Sequence, residues 1–397
     1  MNTVDPFFKH NLSYRHGKVD LEFKVSQELF SSAFIDNGTQ RLLRTLLFEK
    51  IDTFNKALDM GCGYGPIGIA LKASCPSAEV HLTDRDALAL EYSKENAALN
   101  GFNDLKVYGS LAYDSVKDTN FDLIVSNIPA KVGEPILKNT IIDAQDHLVE
   151  GGKVVIVVID AIADFIHQEL TRDENIEITF HRSWPGHHVY HYQFKTKRVA
   201  STKNTFNAGN FYKQKNSVRI GNGKFALEVS HNLPEFDQLH YDTSILLSYI
   251  EQLKIDARSH VLVLTPGQGY IPLAIAKKVP KASLFIPDRD LLALKTTSHN
   301  LKKYDVDHTI LHQVGYWCGE KQFDAAIGIL HEKQNLAVYK MYLNQITTQM
   351  KQNTPLVISS SSTVITRVEE LIRQKKTFEV IRREKDKGRS VIEMRKK

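Results

Sequence analysis

The chain has 397 residues, enough for two or three domains that each bury a core. Its hydrophobic content of 42%, charged content of 24% and formal net charge of +5 are typical of an ordinary soluble globular protein. No stretch approaches the roughly 18 uninterrupted apolar residues of a membrane helix, so we expect no membrane partner. The three cysteines form neither a CxxC pair nor an even disulfide framework, which predicts a reducing, cytoplasmic location.

Strand and helix signals alternate along the first half of the chain. They predict strands at 56–60, 80–83, 121–126 and 153–158, with helices at 66–74 and 87–100 between the first three. Pro66 suits the first turn of its helix, and Gly101 is a natural stop for the next one. Segments 176–181 and 189–194 are typical of a closing antiparallel pair. The alternation predicts a doubly wound, mostly parallel sheet.

An internal repeat organises the chain. Gly63-Tyr64-Gly65 recurs 204 residues later as Gly267-Gln268-Gly269, and the same offset carries Asp84 onto Asp288 and Asn96 onto Asn300. So regular a register over whole domain lengths indicates a tandem duplication. We therefore predict two domains, residues 1–200 and 206–397, with a polar linker at 195–209.

A glycine-rich loop at Gly61-Cys62-Gly63-Tyr64-Gly65 follows the first predicted strand. Such loops let a backbone approach a ligand closely, although dinucleotide-binding proteins use a related one. Asp59 precedes the glycines, where its carboxylate suits the cationic amino group of a methionine moiety. Asp84 ends the next strand, where an acid can accept hydrogen bonds from both ribose hydroxyls. Together they predict a site for S-adenosyl-L-methionine, with Cys62 packed against it.

The turn after the strand at 121–126 reads Asn127-Ile128-Pro129-Ala130. Ligands of open parallel sheets bind beyond the carboxyl ends of the strands, where this turn is expected. The amide oxygen of Asn127 can accept a hydrogen bond from an amine, which would point the nitrogen lone pair at an electrophilic methyl group. Pro129 would stiffen the turn and present a backbone carbonyl. Asn127 and Pro129 are the predicted catalytic residues.

These residues give the first half a specific resemblance. It resembles the class I S-adenosylmethionine-dependent methyltransferases of the small methyltransferase-domain family, which includes duplicated ribosomal RNA guanine exocyclic-amine methyltransferases. The resemblance covers nearly all of residues 5–195. It rests on Leu29-Phe30-Ser31-Ser32 with Ile35-Asp36-Asn37-Gly38-Thr39 (29–39, the Phe-Ser segment), 59–68, Asp84, 127–133 and 148–152. It implies two tandem Rossmann-like methyltransferase domains.

In that family the Phe-Ser segment lies beside the cofactor, and an Asn-Pro-Pro-aromatic turn binds the target amine. The resemblance therefore implies that the Phe-Ser segment contributes to the cofactor site. The cofactor-binding residues that we predict are Asp36, Gly38, Thr39, Asp59, Gly61, Cys62, Gly63, Gly65, Asp84, Arg85, Ser110 and Asn127.

Two features depart from the family pattern. Ile128 and Ala130 replace a proline and an aromatic residue, and the missing ring removes a stacking surface worth about 1–3 kcal/mol in single-strand recognition. The duplicated enzymes of the family also carry their active site in the C-terminal half, whereas the motifs here lie in the N-terminal half. The target nucleotide of those enzymes is therefore not assigned to this chain.

The second half keeps the repeat but loses the chemistry. Asp59 aligns with Val263, Gly61 with Thr265 and Asn127 with Ile329. Residues Arg367 to Lys397 hold twelve lysines and arginines against six acidic residues, which suits a polyanionic partner, although a solvated charge-rich surface would look the same. We expect a degenerate methyltransferase-like domain that binds the target or stabilises the first domain.

Four histidines, at 181, 187, 188 and 191, crowd one segment without a thiolate or acid partner, so we predict no metal site. Trp184 beside them can stack a base, but we expect it to pack in the core. The predicted protein is a monomeric methyltransferase acting on an exocyclic amine of guanine in RNA, with ribosomal RNA preferred. Two alternatives stay open: methylation of a protein amide or small-molecule amine, and a non-catalytic RNA-binding or assembly protein that retains a cofactor pocket.

Overall fold

The computed structural model describes residues 5–197, 212–221 and 223–397. The chain divides into two compact units, Met1–Phe211 and Tyr212–Lys397. The predicted linker therefore lies mostly outside the described residues, from residue 198 onward. Among the described residues, no helix has the length and apolar character needed to cross a membrane.

In the first unit, a two-stranded hairpin precedes helices that alternate with the strands of a seven-stranded sheet. The strands are β1 (Phe8–His16), β2 (Val19–Ser26), β3 (Lys56–Met60), β4 (Glu79–Asp84), β5 (Lys106–Gly109), β6 (Phe121–Asn127), β7 (Leu148–Ile159), β8 (Ile176–Trp184) and β9 (His187–Phe194). The helices are α1 (Asn37–Phe48), α2 (Pro66–Ser74), α3 (Ala87–Leu99), α4 (Glu134–Ile142) and α5 (Asp160–Arg172).

The second unit repeats this order of elements. Its strands are β10 (Tyr212–Ile220), β11 (Gly223–Ser230), β12 (His260–Leu264), β13 (Ser283–Asp288), β14 (His308–His312), β15 (Ala325–Ile329), β16 (Pro355–Ser361), β17 (Phe378–Asp386) and β18 (Arg389–Lys396). Its helices are α6 (Tyr241–Gln252), α7 (Tyr270–Lys278), α8 (Leu291–Lys302), α9 (Leu336–Gln349) and α10 (Ser362–Lys375).

Each unit contains a seven-stranded sheet and a separate two-stranded hairpin. The sheet orders are β5-β4-β3-β6-β7-β9-β8 and β14-β13-β12-β15-β16-β18-β17. In both sheets the first five strands pair in parallel, and the sixth (β9 or β18) is antiparallel to its neighbours. This confirms the predicted pair of Rossmann-like domains with an antiparallel closing strand.

The strand order of the first sheet places the candidate site. The chain crosses from β3 to β4 on one side and later returns to pair β6 on the other side of β3. The crevice outside the carboxyl ends of β3 and β6 is the position where open α/β sheets bind ligands. The glycine loop follows β3 and Asn127 ends β6, so both lie at this edge.

Candidate functional site

The loop between β3 and α2 turns through three glycines with left-handed backbone, at φ +76° for Gly61, +58° for Gly63 and +93° for Gly65. A Cβ added at Gly61 or Gly63 would meet no atom within 4 Å. At Gly68, by contrast, a Cβ would lie 2.6 Å from Leu82 Cγ. The loop thus leaves space over its first glycines for a ligand, while Gly68 lets α2 pack closely on the sheet.

Asp59 lies behind this loop, with none of its surface exposed. Its Oδ2 accepts a hydrogen bond from the backbone N–H of Gly68 at 2.7 Å, whereas its buried Oδ1 has no partner. Burial raises the pKa of Asp59 to about 7; the Gly68 bond opposes this rise and the Asp84 charge contributes to it. A buried carboxylate oxygen without a donor is costly, so this atom suits an incoming cationic donor.

Asp84 is fixed at the end of β4 by two backbone groups. Its Oδ2 accepts from Gly63 N and its Oδ1 from Asp86 N, each at 2.9 Å. Burial raises its pKa to about 6, opposed in part by the positive charge of the neighbouring Arg85. Each carboxylate oxygen can accept a second hydrogen bond, so this orientation leaves capacity for a pair of hydroxyl donors.

Ser110 lies beside the loop and Cys62 lies within it. Both side chains contact other residues of the chain. The Ser110 N–H donates to the Asp84 carbonyl at 3.0 Å, and its hydroxyl donates to Ala112 O at 2.7 Å. The Cys62 Sγ lies 3.4 Å from Ser93 Oγ, and burial raises its pKa well above the ordinary value. A neutral buried thiol lines the loop and is not a nucleophile.

Asn127 is held by residues of the Phe-Ser segment. Its Nδ2 donates to Asp36 Oδ2 at 3.0 Å and to Thr39 Oγ1 at 3.1 Å. Asp36 also caps α1 by accepting from the Thr39 N–H at 3.2 Å. Gly38 lies in the same turn, where a Cβ would be 2.8 Å from Asp36 Oδ2. Asp36 and Thr39 therefore contact the Asn127 amide directly.

Ile128, one of the two departures, adds a backbone hydrogen bond to the turn, and the retained Pro129 follows it. The Ile128 N–H donates to Val157 O at 2.9 Å, which extends the pairing of β6 with β7, and its side chain is only 4% exposed. A proline at this position could not donate that bond. Pro129 is exposed at φ −73° and ψ 129°, and it begins a short 3-10 helix, Ala130–Val132.

Two residues of α3 support the glycine loop, and the sequence pointed to only one of them. Ser93 Oγ donates to Gly63 O and Asn96 Nδ2 donates to Tyr64 O, both at 2.9 Å. Asn96 recurs in the repeat as Asn300, which could have identified its structural role. Ser93 aligns with a threonine, Thr297, whose hydroxyl contacts Gly267 O at 3.3 Å.

In the second unit, side chains occupy the equivalent position. Thr265 keeps the left-handed backbone of Gly61, at φ +50°, and its Oγ1 lies 3.4 Å from the hydroxyl of the buried Tyr316. Glu235 Oε2 lies 3.9 Å from the place of a Cβ on Gly267, where the first unit has open space over Gly63. Val263, fully buried, replaces the carboxylate of Asp59.

The hairpin histidines contact other side chains. His187 Nδ1 lies 2.8 Å from Arg41 Nη1, and His191 Nε2 lies 2.8 Å from Thr45 Oγ1. Burial lowers the pKa of His191 to about 4. The expectation that Trp184 packs in the core is wrong, because its ring is half-buried and lies under two guanidinium groups. The sequence pattern did not predict the contact between Trp184 and Arg41, which lies on α1.

One other cluster has the composition of a metal site. Ligand atoms of Glu79, His81 and Asp118 lie within 4.8 Å of one another. The Lys56 ammonium, however, lies 2.7 Å from Glu79 Oε1 and 3.5 Å from Asp118 Oδ2, so a cationic group already neutralises these carboxylates. Lys56 and Glu79 begin β3 and β4, at the sheet edge opposite the glycine loop.

Comparison with known proteins identifies the family. The methyltransferase small domain matches residues 20–207 and again 235–381. The chain belongs to this family. Because both regions match, the second copy is a member in sequence as well as in fold.

Individual relatives agree with this assignment. "Uncharacterized protein YbxB" of Bacillus subtilis (strain 168) is 31% identical over 151 residues, 38% of this chain and 74% of that protein. The ribosomal RNA small subunit methyltransferase C of Haemophilus influenzae (strain PittGG) is 35% identical over 150 residues, 36% of this chain and 44% of that enzyme. The chain thus matches less than half the length of this rRNA methyltransferase.

A solved structure resembles the whole chain. The T. thermophilus 16S rRNA guanine-N2 methyltransferase, in complex with AdoMet and guanosine, aligns over 98% of both chains with a TM-score of 0.68. The sequence identity is 15%, so this likeness establishes the fold alone.

Proposed function

We propose that the chain transfers a methyl group from S-adenosyl-L-methionine to an exocyclic amine of guanine in structured RNA, with ribosomal RNA as the preferred substrate. The observation that carries this proposal is the orientation of Asn127. Its amide nitrogen faces the Asp36 carboxylate, which can only accept hydrogen bonds, so the amide oxygen is the atom left for an acceptor amine. An amide in that orientation suits a nitrogen nucleophile.

The first unit fits the cofactor. The space over Gly61 and Gly63 accommodates a ligand, and the unpartnered Asp59 Oδ1 suits the ammonium of its methionine moiety. Asp84 would accept hydrogen bonds from the ribose hydroxyls. When bound, the cofactor supplies a methyl group already activated by a sulfonium. The protein is therefore left mainly with alignment of the acceptor nitrogen, the carbon and the leaving sulfur.

Asn127 would act on the acceptor in the transition state. A hydrogen bond from the amine to the Asn127 amide oxygen turns the nitrogen lone pair toward the methyl group and stabilises the positive charge that develops on nitrogen. The rRNA target is supported by the names of the Haemophilus and T. thermophilus proteins, both rRNA methyltransferases, the latter solved with guanosine.

The second unit would bind the RNA target or stabilise the catalytic unit. Its basic C-terminal elements, α10 to β18, support contact with a polyanion, although some of their charges are paired. Arg383 lies 3.0 Å from Glu369, and Arg389 lies 3.0 Å from Asp242. All three cysteines are free, which supports action in the cytoplasm.

A second candidate function follows from Ala130. It stands where the family turn carries an aromatic ring, so the turn offers a planar base no stacking partner of its own. This observation favours an acceptor without a base, such as a protein amide or a small-molecule amine. A retained cofactor pocket in a non-catalytic assembly protein is the third outcome to test.

The test is a methyl-transfer assay with the full chain and methyl-labelled S-adenosyl-L-methionine. Unmethylated ribosomal subunits, free rRNA, ribosomal proteins and a metabolite extract serve as separate acceptor pools. We expect label in RNA, recovered after nuclease digestion as guanosine methylated on its exocyclic amine. Label confined to protein or metabolites would refute the RNA proposal, and no label in any pool would favour the assembly role.

Matched asparagine variants make the assay specific. Asn127→Ala should abolish transfer while cofactor binding stays within a few-fold, since Asn127 acts on the acceptor. Asn103→Ala removes an exposed asparagine from the loop before β5, at the opposite edge of the sheet, and should leave transfer unchanged. Full activity in Asn127→Ala would show that transfer does not need the Asn127 amide, and would contradict the proposal.

A further inference from the structure

The turn between β8 and β9 lies at the same sheet edge as Asn127. Asn127 pairs with Val157 of β7, Val157 pairs with Val189 of β9, and His187 lies two residues further toward that edge. Trp184 pairs with His187 across the turn. From the spacing of strands and residues in a sheet, the His187 Cα is about 12 Å and the Trp184 Cα about 16 Å from that of Asn127.

Trp184 lies in a cluster with two arginines. The guanidinium carbons of Arg182 and Arg41 lie 4.8 Å and 5.9 Å from the centroid of its ring. Arg41 Nη1 also donates to Pro185 O at 2.8 Å and lies 2.8 Å from His187 Nδ1. We call Trp184, Arg182 and Arg41 the Trp–Arg cluster.

The Trp–Arg cluster is joined to the methyl-transfer turn through the first turns of α1. His187 packs against Gly38 so closely that a Cβ there would lie 2.7 Å from His187 Cδ2. The next residue, Thr39, contacts the Asn127 amide. A ligand seated on the cluster is therefore positioned relative to Asn127 by directly bonded or packed residues.

The charge of the cluster is not neutralised within the described part of the chain. Neither Arg41 nor Arg182 forms an ion pair with a carboxylate there. Asp160, the nearby acid, lies 3.3 Å from His188 Nε2 and accepts from the Gly186 N–H at 3.2 Å. Two guanidinium groups within about 6 Å of an indole centroid offer both positive charge for phosphates and planar surfaces for bases.

We propose that the Trp–Arg cluster binds the single-stranded RNA nucleotides that flank the target base. This inference rests on the proposed function and deepens it. It accounts for Ala130, because the stacking surface missing from the turn is supplied a short distance along the same edge. It assigns RNA contact of this kind to the first unit, at the sheet edge where Asn127 ends β6.

The chain is suited to a direct test, because it has only two tryptophans, Trp184 and Trp317. Trp317→Phe leaves Trp184 as the single tryptophan reporter in the full chain, excited selectively over the tyrosines. Titration with a short guanine-containing single-stranded RNA should quench its emission in a saturable way. An acidic peptide of equal charge should not; quenching by the peptide and not by RNA would overturn the proposal in favour of a protein partner.

Single substitutions test whether the Trp–Arg cluster binds the RNA specifically or whether positive charge anywhere on the surface has the same effect. Trp184→Ala and Arg182→Ala should each weaken RNA binding and raise KM for RNA about tenfold, with S-adenosyl-L-methionine affinity unchanged. Trp184→Phe keeps a stacking ring and should retain most of the binding. The control is Arg172→Ala, which removes an exposed arginine at the far end of α5 and should change neither value.

The outcomes distinguish this inference from the proposed function. Normal RNA binding and KM in Trp184→Ala, with guanine methylation intact, would overturn the role of the cluster and leave the function standing. Quenching of Trp184 by RNA without any methylation of RNA would support the cluster and refute the function.

Discussion

The Asn127 Nδ2 atom lies 3.0 Å from Asp36 Oδ2, across 91 residues of sequence. Because a carboxylate only accepts hydrogen bonds, this contact fixes which end of the amide faces α1. The same carboxylate oxygen caps α1 through the Thr39 N–H. The cap of one helix thus sets the orientation of the residue proposed to bind the acceptor amine.

This contact predicts that Asp36 acts through Asn127. Asp36→Ala should lower kcat about 10²-fold, the scale expected when a reacting group is misplaced by about 1 Å, while the dissociation constant of S-adenosyl-L-methionine changes little. Steady-state kinetics and calorimetry measure the two quantities. Loss of the cap should also lower the free energy of unfolding by about 1 kcal/mol.

The conservative variant supplies the control for this prediction. Asp36→Asn retains a side-chain oxygen that can accept from Asn127 and cap α1, so kcat should recover by at least about tenfold relative to Asp36→Ala. If Asp36→Ala instead weakened cofactor binding and left kcat intact, Asp36 would contact the cofactor, as the family resemblance implied.

The raised pKa values of Asp59 and Asp84, about 7 and about 6, predict that cofactor affinity depends on pH. A bound ammonium favours the carboxylate form of Asp59, and hydroxyls that donate hydrogen bonds to Asp84 favour its carboxylate form, so binding lowers both pKa values and releases protons. Affinity should therefore fall as the pH drops through about 7 and then about 6, by at most about tenfold per unit for each group. Above about pH 8 both carboxyl groups are ionised and add no further pH dependence.

Calorimetry in two buffers of different ionisation enthalpy counts the released protons directly. Asp59→Asn removes the higher of the two transitions, so its weaker binding should depend on pH only near the Asp84 value. Affinity that stayed constant from pH 8 to pH 5 would contradict the proposed contacts of Asp59 with the ammonium and of Asp84 with the ribose hydroxyls.

Much of the fold could be predicted because the repeat and the strand patterns are local signals. The predicted strand at 56–60 and helix at 66–74 coincide with β3 and α2, and the helix predicted at 87–100 ends one residue early, at Leu99. The loop glycines and the acidic residues at the ends of strands could also be predicted, because their positions follow from where each strand ends. These signals located Asp59, Asp84 and Asn127 at one edge.

The contacts between distant segments could not be read in this way. Arg41 lies on α1 and reaches Trp184 only because β9 folds back beside β7, so no periodicity reports the pair. The resemblance implied that Asp36 contacts the cofactor, which stays a prediction, but no motif indicated its hydrogen bond to Asn127. In the second unit, Tyr316 fills space near Thr265 although no motif marks it.

The second unit predicts the binding stoichiometry. With Val263 in place of Asp59, and with Tyr316 and Glu235 beside the loop, we expect one S-adenosyl-L-methionine per chain in a calorimetric titration. Asp59→Ala should abolish the binding signal altogether, and Val263→Ala should leave it unchanged. A stoichiometry of two, or binding that survives Asp59→Ala, would contradict the proposed loss of chemistry in the second unit.

Asn96 and Asn300 make equivalent bonds in the two units. Asn96 bonds the N–H and carbonyl of Lys24 and the carbonyl of Tyr64, at 2.7 to 3.0 Å. Asn300 bonds the corresponding groups of Glu228 and Gln268, at 2.9 to 3.0 Å. Both side chains are fully buried, so each holds a hairpin strand and a glycine loop against the helix behind them.

Asn96→Ala and Asn300→Ala should therefore both lower the free energy of unfolding, by about 3 kcal/mol, since each leaves three backbone groups without a partner at roughly 1 kcal/mol or more apiece. Urea denaturation measures this, with exposed Asn103→Ala as the neutral control. Cofactor affinity should separate the pair, because only Asn96→Ala releases Tyr64, which lies in the loop that we propose binds the cofactor. Only this variant should therefore weaken cofactor binding. Equal loss of affinity in both variants would mean that the second glycine loop also binds the cofactor, and that the bonds retained at Asn300 preserve a site as well as a fold.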